Sequence, residues 1–333
     1  MGKNKEESSN LADALARLNK TYGQGAIMKL NDKCADDYDI ISTGSIGIDY
    51  GVLGVGGIVK GKLYELMGWE GSGKSTLCGH ITANCQKAGG KVVYIDGEHA
   101  VDKKYFQALG VNTEELLLSQ PSNGEEGFNI AEEMIKTGEI DLVIIDSDSS
   151  LIPKKVVDGE IGDSAIGTKA KLNSSAYPKL KNKLVETNTA VIVISQFREK
   201  IGVMFGDPRT TQGGHALKFY SDCRLEIAKT VDKEGGEVIG NKTRIKTIKN
   251  KTHPPYNNTE FKIKFGVGID RIEELMTLAS SVNLGRKYGK TYTFDGVKYD
   301  LVEFLLKLED DVFFQELREQ VVDRLLNGIP EES

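Results

Sequence analysis

Apolar positions recur with two periods along this chain, and the switch from one to the other marks its elements. Leu11, Leu15 and Leu18 stand at i, i+4 and i+7, one face of a short helix, ahead of the glycine-containing stretch Tyr22-Gly-Gln-Gly. A helix that short is unstable alone and must dock, on its own core or on a neighbouring subunit. Seven glycines between Ile40 and Gly61 then predict turns and close backbone approaches ahead of a strand over 62–67. Beyond a helix over 74–88, strands over 91–96, 116–119, 141–146 and 190–195 alternate with helices over 103–109, 125–137 and 168–187. Strands as apolar as Leu142-Val-Ile-Ile and Val191-Ile-Val-Ile have no face for water. They predict a central, mostly parallel sheet flanked by helices on both faces, an α/β fold. From residue 222 the period shortens: 224–228, 243–250 and 260–264 read as strands, the first two joined through Glu234-Gly-Gly-Glu, so the sheet continues as antiparallel hairpins. After Gly268 a helix over 272–282, a hairpin around Asp295-Gly296 and helices over 299–308 and 312–326 predict a small C-terminal α+β domain. The expected organisation is an N-terminal arm over 1–37, a core over 38–268 and the small domain over 269–333.

Composition narrows the class. The chain is 39% hydrophobic and 28% charged with 7 prolines, an ordinary globular balance without long disorder. No apolar run approaches the ~20 residues of a membrane span. The start, Met1-Gly-Lys-Asn-Lys-Glu-Glu-Ser-Ser, lacks a signal peptide's apolar core, so a cytoplasmic protein is expected. Cys34, Cys78, Cys85 and Cys223 have no C-x-x-C spacing, and His80, His99, His215 and His253 have no metal-ligand spacing, so neither a disulfide framework nor a zinc site is indicated. A net charge of −6 argues against indiscriminate binding to polyanions, though local patches escape that average.

The chemistry concentrates after the first long strand. Gly68-Trp69-Glu70-Gly71-Ser72-Gly73-Lys74-Ser75-Thr76 fits G-x-x-x-x-G-K-[ST] between a strand and a helix. Glycines there let successive N–H groups converge on phosphate oxygens, and the helix presents its positive end to the same anion. Lys74 would reach the β- and γ-phosphates, and the Ser75 hydroxyl would ligate Mg²⁺. Ligands of such sheets bind at the carboxyl ends of the strands, which places Asp96-Gly-Glu98, Asp146 and Gln196 on the same edge. Asp146 is the candidate to hold the metal. Glu98 is the candidate to orient and deprotonate a water, and Gln196 to sense a γ-phosphate.

Gln196 also opens a long segment, 197–213, that mixes Arg198, Lys200 and Arg209 with Phe197, Met204 and Phe205. Basic groups for phosphates and apolar tips for stretched bases suit single-stranded nucleic acid; a lid over the nucleotide is the alternative. Lys169, Lys171, Lys179, Lys181 and Lys183 have no acidic residue among them and support a polyanion site, or form a solvated face. On the strand after Gly240, Lys242, Arg244 and Lys246 fall on one face, while Lys249 and Lys251 fall on the other and are candidates to act on a neighbour's nucleotide.

Together these blocks resemble the bacterial RecA recombinase family, over residues 11 to about 327. The similarity is carried by Ile41-Ser-Thr-Gly44-Ser, the phosphate loop, Tyr94-Ile-Asp-Gly-Glu98-His99-Ala100, Gly159-Glu-Ile-Gly-Asp-Ser164, Lys200-Ile-Gly-Val-Met-Phe-Gly206, Gly213-Gly-His-Ala-Leu-Lys-Phe-Tyr220 and Lys249-Asn-Lys251. The resemblance implies a RecA-type P-loop NTPase. It would be a DNA-dependent ATPase using ATP and Mg²⁺, forming a helical filament of itself on single-stranded DNA and exchanging strands with homologous double-stranded DNA. A LexA-like repressor and a single-strand binding protein are further implied partners.

By position, the resemblance makes Glu98 the water-activating residue, Asp146 the magnesium-site aspartate, Gln196 the γ-phosphate sensor and Tyr105 the residue stacked on adenine. Gly159, Gly162, Ser164 and Gly167 fall in the first DNA-binding loop. Arg198, Lys200, Met204, Phe205, Arg209, Thr210 and Thr211 fall in the second, with Gly213 and Gly214 just beyond. Lys249 and Lys251 match a pair that crosses the subunit interface, Lys218 and Phe219 match interface positions, and the helix of Leu11, Leu15 and Leu18 matches a polymerisation arm.

Some positions depart from the family pattern. Trp69-Glu-Gly71-Ser replaces Pro-Glu-Ser-Ser in the phosphate loop, Ser195 stands where Asn is common, and Pro208-Arg209 stands where Pro-Glu is common. Only Glu331 and Glu332 stand in for a longer acidic tail. Such departures suit a phage-borne or divergent member. Two other classes fit the phosphate loop: a nucleotide-gated regulatory module with slow ATPase, and a hexameric helicase of related fold.

Overall fold

A computed structural model describes residues 3–23, 26–27, 38–160, 167–199, 206 and 208–328, with the side chains of the first helix from residue 11 onward. These residues fall into two units, within Met1–Asp39 and Ile40–Ser333. The first unit is built on α1 (Lys3–Tyr22), which runs 20 residues and so begins well before the leucine stripe. Helix-favouring Lys and Glu residues extend it where no apolar period signals it. Leu11 is exposed, and Leu15 and Leu18 are half-buried.

The second unit opens with β1 (Ile40–Ile41), a π-helical turn (Gly47–Val52) and β2 (Ile58–Val59), which pairs with β1. The alternation follows as β3 (Leu63–Gly68), α2 (Lys74–Lys87), β4 (Val92–Asp96), α3 (Lys103–Ala108), β5 (Leu117–Ser119), α4 (Gly124–Lys136) and β6 (Leu142–Asp146). Next come a 3₁₀ turn (Asp148–Ser150), α5 (Lys154–Val157), α6 (Thr168–Thr187), β7 (Ala190–Glu199), β8 (Arg209–Thr211) and α7 (Ala216–Tyr220). The antiparallel part is β9 (Cys223–Glu234), β10 (Glu237–Asn250), β11 (Asn258–Lys264) and β12 (Gly268–Ile269). Last are α8 (Arg271–Ser281), β13 (Gly285–Tyr288), β14 (Thr291–Phe294), β15 (Val297–Asp300), α9 (Leu301–Lys307) and α10 (Asp311–Asn327).

One ten-stranded sheet runs β12-β11-β10-β9-β3-β7-β6-β4-β5, with β8 added to β7. From β9 to β5 all neighbours are parallel. From β9 to β12 they are antiparallel. Every residue of β3, β4 and β6 is buried, including Glu65 of β3, which pairs with Arg224 at 2.5 Å, and a separate apolar core lies against each face of the sheet. α3 and α4 start where a side chain satisfies a free N–H: Asp102 accepts from Tyr105 N, and Asn123 from Glu126 N. The α/β expectation, a mostly parallel sheet flanked by helices with a small C-terminal α+β part, describes the fold. The C-terminal residues share a third apolar cluster around Phe304, Tyr292 and Leu317.

Three local expectations are corrected. First, residues 197–211 are not wholly irregular: β7 continues to Glu199 because β8 pairs with it, Phe197 opposite Thr211 and Glu199 opposite Arg209. A three-residue strand is too short to show a period. Second, the C-terminal hairpin is a three-stranded sheet, and α9 begins at 301 rather than 299. Tyr299 is still paired with Tyr292, and the Asp300 carboxylate caps α9 by accepting from Val302 N. Third, the lysines near 169–183 do not share one environment: Lys171 and Lys179 are exposed, but Lys169 and Lys181 turn inward. Lys169 donates to Leu151 O at 2.6 Å, and Lys181 is engaged by the buried Asp222. Their aliphatic stems cover core while their ammonium groups meet internal partners.

On β10, Thr243, Ile245 and Thr247 are buried, whereas Lys242 and Arg244 are exposed and Lys246 half-exposed, the alternation its numbering predicts. Lys242 and Lys246 are tied to Glu260 and Glu226 at 3.0 and 3.3 Å.

Candidate functional site

The carboxyl end of β3 runs into the phosphate loop, and the loop runs into α2. Gly71 and Gly73 take φ of +64° and +95°, the left-handed region that only glycine enters freely. A Cβ on Gly73 would lie 2.5 Å from Ile263 Cδ1. The loop therefore needs glycine both for its turn and for the closeness of β11. The Lys74 ammonium donates to Gly68 O at 3.2 Å and Trp69 O at 2.8 Å. Burial lowers its pKa, and the Asp146 and Glu98 carboxylates oppose that shift. The buried Ser72 Oγ has no hydrogen-bond partner among the described residues, a polar atom left over in a loop built to meet an anion.

Ser75 Oγ donates to Asp146 Oδ2 at 2.7 Å, and Tyr94 OH donates to the same oxygen at 2.7 Å. Asp146 is buried, and that burial raises its pKa against the pull of both hydroxyls. Glu98 Oε1 accepts from Gln196 Nε2 and from Ser147 Oγ, each at 2.7 Å. Register explains the meeting: Gln196 lies opposite Gly68 across β3 and β7, and Asp96 opposite Asp146 across β4 and β6. Thr76 Oγ1 and Tyr105 OH are 2.8 Å apart, which anchors the α3 tyrosine to the first turn of α2.

An open cleft joins these groups, lined by residues 70–76, Glu98, Asp146, Ile194, Gln196, Asn241, Ile263 and Phe265. The hydroxyl and carboxylate oxygens of Ser75 and Asp146 are hard donors that fit Mg²⁺, and the glycine-rich loop fits a polyphosphate. Sequence reasoning missed Tyr94, Ser147, Asn241, Ile263 and Phe265. Asn241 had a signal, because it is the one amide in the buried phase of β10, among Thr243, Ile245 and Thr247. The contribution of β11 depends on tertiary packing and leaves no local signature.

The predicted DNA-facing residues are only partly described. Gly159 is exposed after α5, and Gly167 takes φ +77° at the start of α6. Gly162, Ser164, Lys200, Met204 and Phe205 lie outside the described residues. Arg198 is exposed on β7. Arg209, Thr210 and Thr211 form β8, where Arg209 Nη1 meets Glu226 Oε1 at 2.5 Å and its guanidinium lies 5.1 Å from the Phe197 ring centroid. Gly213 and Gly214 take φ of +89° and +80°, and a Cβ on Gly213 would collide with Asn173 Nδ2.

Lys249 and Lys251 do not line the cleft of their own chain. Lys249 Nζ donates to the carbonyls of Lys218 and Phe219 at 3.2 and 3.0 Å, at the end of α7. Burial lowers its pKa, and the charges of Lys251 and Arg224 add to the shift. Lys251 Nζ lies 3.2 Å from Asp222 Oδ1. Phe219 is 69% exposed.

Parallel sheet, glycine-rich loop, loop lysine and acidic strand end define a phosphate-loop nucleoside triphosphatase. The family model of the RecA N-terminal domain matches residues 9–270. Protein RecA of Chloroherpeton thalassium is 41% identical over 331 residues, covering 97% of this chain and 92% of that protein. Protein RecA of Clostridioides difficile is 43% identical over 300 residues, covering 90% and 86%. Protein RecA of Cytophaga hutchinsonii is 45% identical over 295 residues, covering 88% and 83%. The chain belongs to the RecA family. It is a DNA recombinase and an ATP-hydrolysing enzyme of DNA repair and the SOS response. Among the described residues no helix is long and apolar enough to cross a membrane.

Proposed function

We propose that ATP is hydrolysed in the cleft at the carboxyl end of β3, and that the site is completed by an adjacent copy of the chain. The observation that carries this is the 2.7 Å hydrogen bond between Glu98 and Gln196 beside the phosphate loop, which links a candidate base to a neutral amide. Lys74 exchanges the carbonyls of Gly68 and Trp69 for phosphate oxygens. Glu98 Oε1 aligns the attacking water and takes its proton, and Gln196 trades its bond to Glu98 for one to the γ-phosphate, so its position depends on the nucleotide. Tyr105 flanks the base. Ser75 and Asp146 would hold Mg²⁺, which would neutralise phosphate charge.

The remaining assignments follow the same scheme. The arm over 1–37, with Leu11, Leu15 and Leu18, docks on the neighbouring core. The core over 38–268 carries the ATP cleft and both DNA-facing loops, and residues 269–333 form the small domain. Lys249 and Lys251 leave Lys218, Phe219 and Asp222 to reach the neighbour's nucleotide. Single-stranded DNA organises a helical filament of this cytoplasmic protein, which pairs it with homologous duplex. DNA affinity comes from backbone contacts and stacking, as required of a protein that accepts any sequence. A LexA-like repressor and a single-strand binding protein are the partners proposed for the filament.

Action in trans is tested by mixing protomers. Lys249→Ala and Lys251→Ala each lose ATP turnover alone, and each recovers it when mixed with Lys74→Ala. In a random equal mixture roughly a quarter of the head-to-tail interfaces pair an intact cleft with an intact lysine. No recovery at any ratio removes the shared site.

A further inference from the structure

Two side chains far apart in sequence meet in the structure through a third. Trp69, inside the phosphate loop, packs its ring edge-on against Phe197 of β7, with centroids 5.8 Å apart and planes at 65°. The guanidinium of Arg209 on β8 lies over the same Phe197 ring at 5.1 Å. Arg209 is held in turn by Glu226 of β9 at 2.5 Å, and Lys246 of β10 reaches that carboxylate at 3.3 Å. Glu226 is the cross-strand partner of Met67, two residues before Trp69. The contacts thus close a ring over the carboxyl end of β3, from the phosphate loop to β7, to β8, to β9 and back.

The loop end of this ring is tied to nucleotide occupancy. The Lys74 ammonium rests on the carbonyl of Trp69 itself at 2.8 Å. Phosphate arriving at Lys74 must take that ammonium from Trp69, so the residue that loses the bond is the one packed on Phe197. The other end is tied to the β7–β8 pair, where Phe197 lies opposite Thr211 and Arg198 opposite Thr210. Phe197 is buried, whereas Trp69 is 41% exposed. An exposed indole that keeps an aromatic contact can move without opening the core.

We propose that Trp69, Phe197 and Arg209 form a positioning relay through which phosphate on the 68–76 loop and single-stranded DNA on the β7–β8 pair change each other's binding. The proposal rests on the reading of residues 197–211 as DNA-facing. Coupling of this kind is reciprocal, so one factor describes both the effect of nucleotide on DNA affinity and that of DNA on nucleotide affinity. An acidic residue at 209 could not lie favourably over the ring face, which repels negative charge. Trp69 and Arg209 therefore act on one ring.

Trp69 is the chain's one tryptophan, so it reports directly. In the unaltered protein, an oligo-dT strand added without nucleotide shifts Trp69 emission, and a non-hydrolysable ATP analogue shifts it as well. The coupling factor is the ratio of oligo-dT dissociation constants, by anisotropy, without and with the analogue. Trp69→Phe keeps an edge contact and holds that factor within about twofold. Trp69→Ala and the apolar-preserving Phe197→Leu each cut it roughly five- to tenfold, and the double variant cuts it no further than either single one.

Emission that ignores oligo-dT while Arg198→Ala weakens DNA binding overturns the relay and leaves the DNA-facing reading standing. Oligo-dT affinity unchanged by Arg198→Ala in both nucleotide states overturns that reading, and the relay with it. Additive losses in the double variant, or a coupling factor that survives Trp69→Ala, overturn the relay.

Discussion

Two carboxylate clusters in this molecule use the same residue types for opposite ends. At the cleft, buried Asp146 and exposed Glu98 accept from Ser75, Tyr94, Ser147 and Gln196, with the Lys74 ammonium close enough to influence both. Between residues 40–52 and α8, Asp49 accepts from Ser42 Oγ, Thr43 N and Thr43 Oγ1 at 2.6, 2.9 and 2.6 Å. Nearby, Glu274 accepts from Ser45 Oγ, and from Gly47 N at 3.2 Å. Asp49 and Glu274 are both 2% exposed. Burial pushes Asp49 up to about 6 and Glu274 up to about 7. The difference lies in what can replace the donors. At the cleft a ligand can take over from Ser75 and Gln196. In the second cluster the donors are fixed by the local turn: Asp49 ties the 40–52 segment to itself, and Glu274 fastens that segment to α8.

The cleft breaks most sharply at its cation. Lys74→Ala removes the charge that meets the phosphates, and kcat/KM for ATP falls by about 10⁴-fold or more. A steady-state assay with saturating DNA measures it, and a loss under tenfold would remove Lys74 from the site. Glu98→Gln comes next. It keeps the shape and a polar contact to Gln196 but cannot take a proton, so ATP still binds while turnover slows by about 10²- to 10⁴-fold. Retained turnover with unchanged nucleotide affinity would exclude Glu98 as the base.

How far each cluster was legible follows from these contacts. Lys74, Ser75, Asp146, Glu98 and Gln196 could be read because a fixed spacing puts the loop at a strand end, and apolar runs that stop at Asp146 and Gln196 mark other strand ends on the same edge. The alternation of β10 likewise separated Lys242, Arg244 and Lys246 from the buried Thr243 and Ile245. The second cluster was invisible. Asp49 stands in a glycine-rich stretch without period, and Glu274 lies 225 positions away on a surface-like helical turn. Only tertiary packing brings them together. β8 was missed because three residues carry no period. Lys169 and Lys181 were misread because a long apolar stem lets a lysine on a polar helix face turn its charge inward.

The second cluster breaks through pH rather than through activity. Glu274 holds its proton to about pH 7 in the folded chain, against 4.5 as the ordinary value. Between those values the folded form binds more protons, so this group lowers stability as pH rises from about 4.5, and its effect levels off above about 7. The full span is on the order of 3 kcal/mol. Glu274→Gln is therefore expected to flatten the dependence of the denaturant midpoint on pH across that window and to raise the midpoint at pH 8. An unchanged slope would show that Glu274 is ionised in the folded chain well below pH 7.

The mildest test separates the carboxylate from its donor. Ser45 Oγ donates to Glu274 and accepts from Ile48 N at 3.1 Å, so it holds the acid and the start of the π-helical turn at once. Ser45→Ala leaves both groups buried with one partner fewer, a loss of about 1–2 kcal/mol. The loss should be greater at pH 8, where the hydroxyl serves an ionised acceptor, than at pH 5, where it serves a protonated one. Urea unfolding at the two values measures the difference. An equal loss at both would mean that the Ser45 hydroxyl matters to this junction through Ile48 alone, and the two carboxylate clusters would then differ in their donors as well as in their exposure.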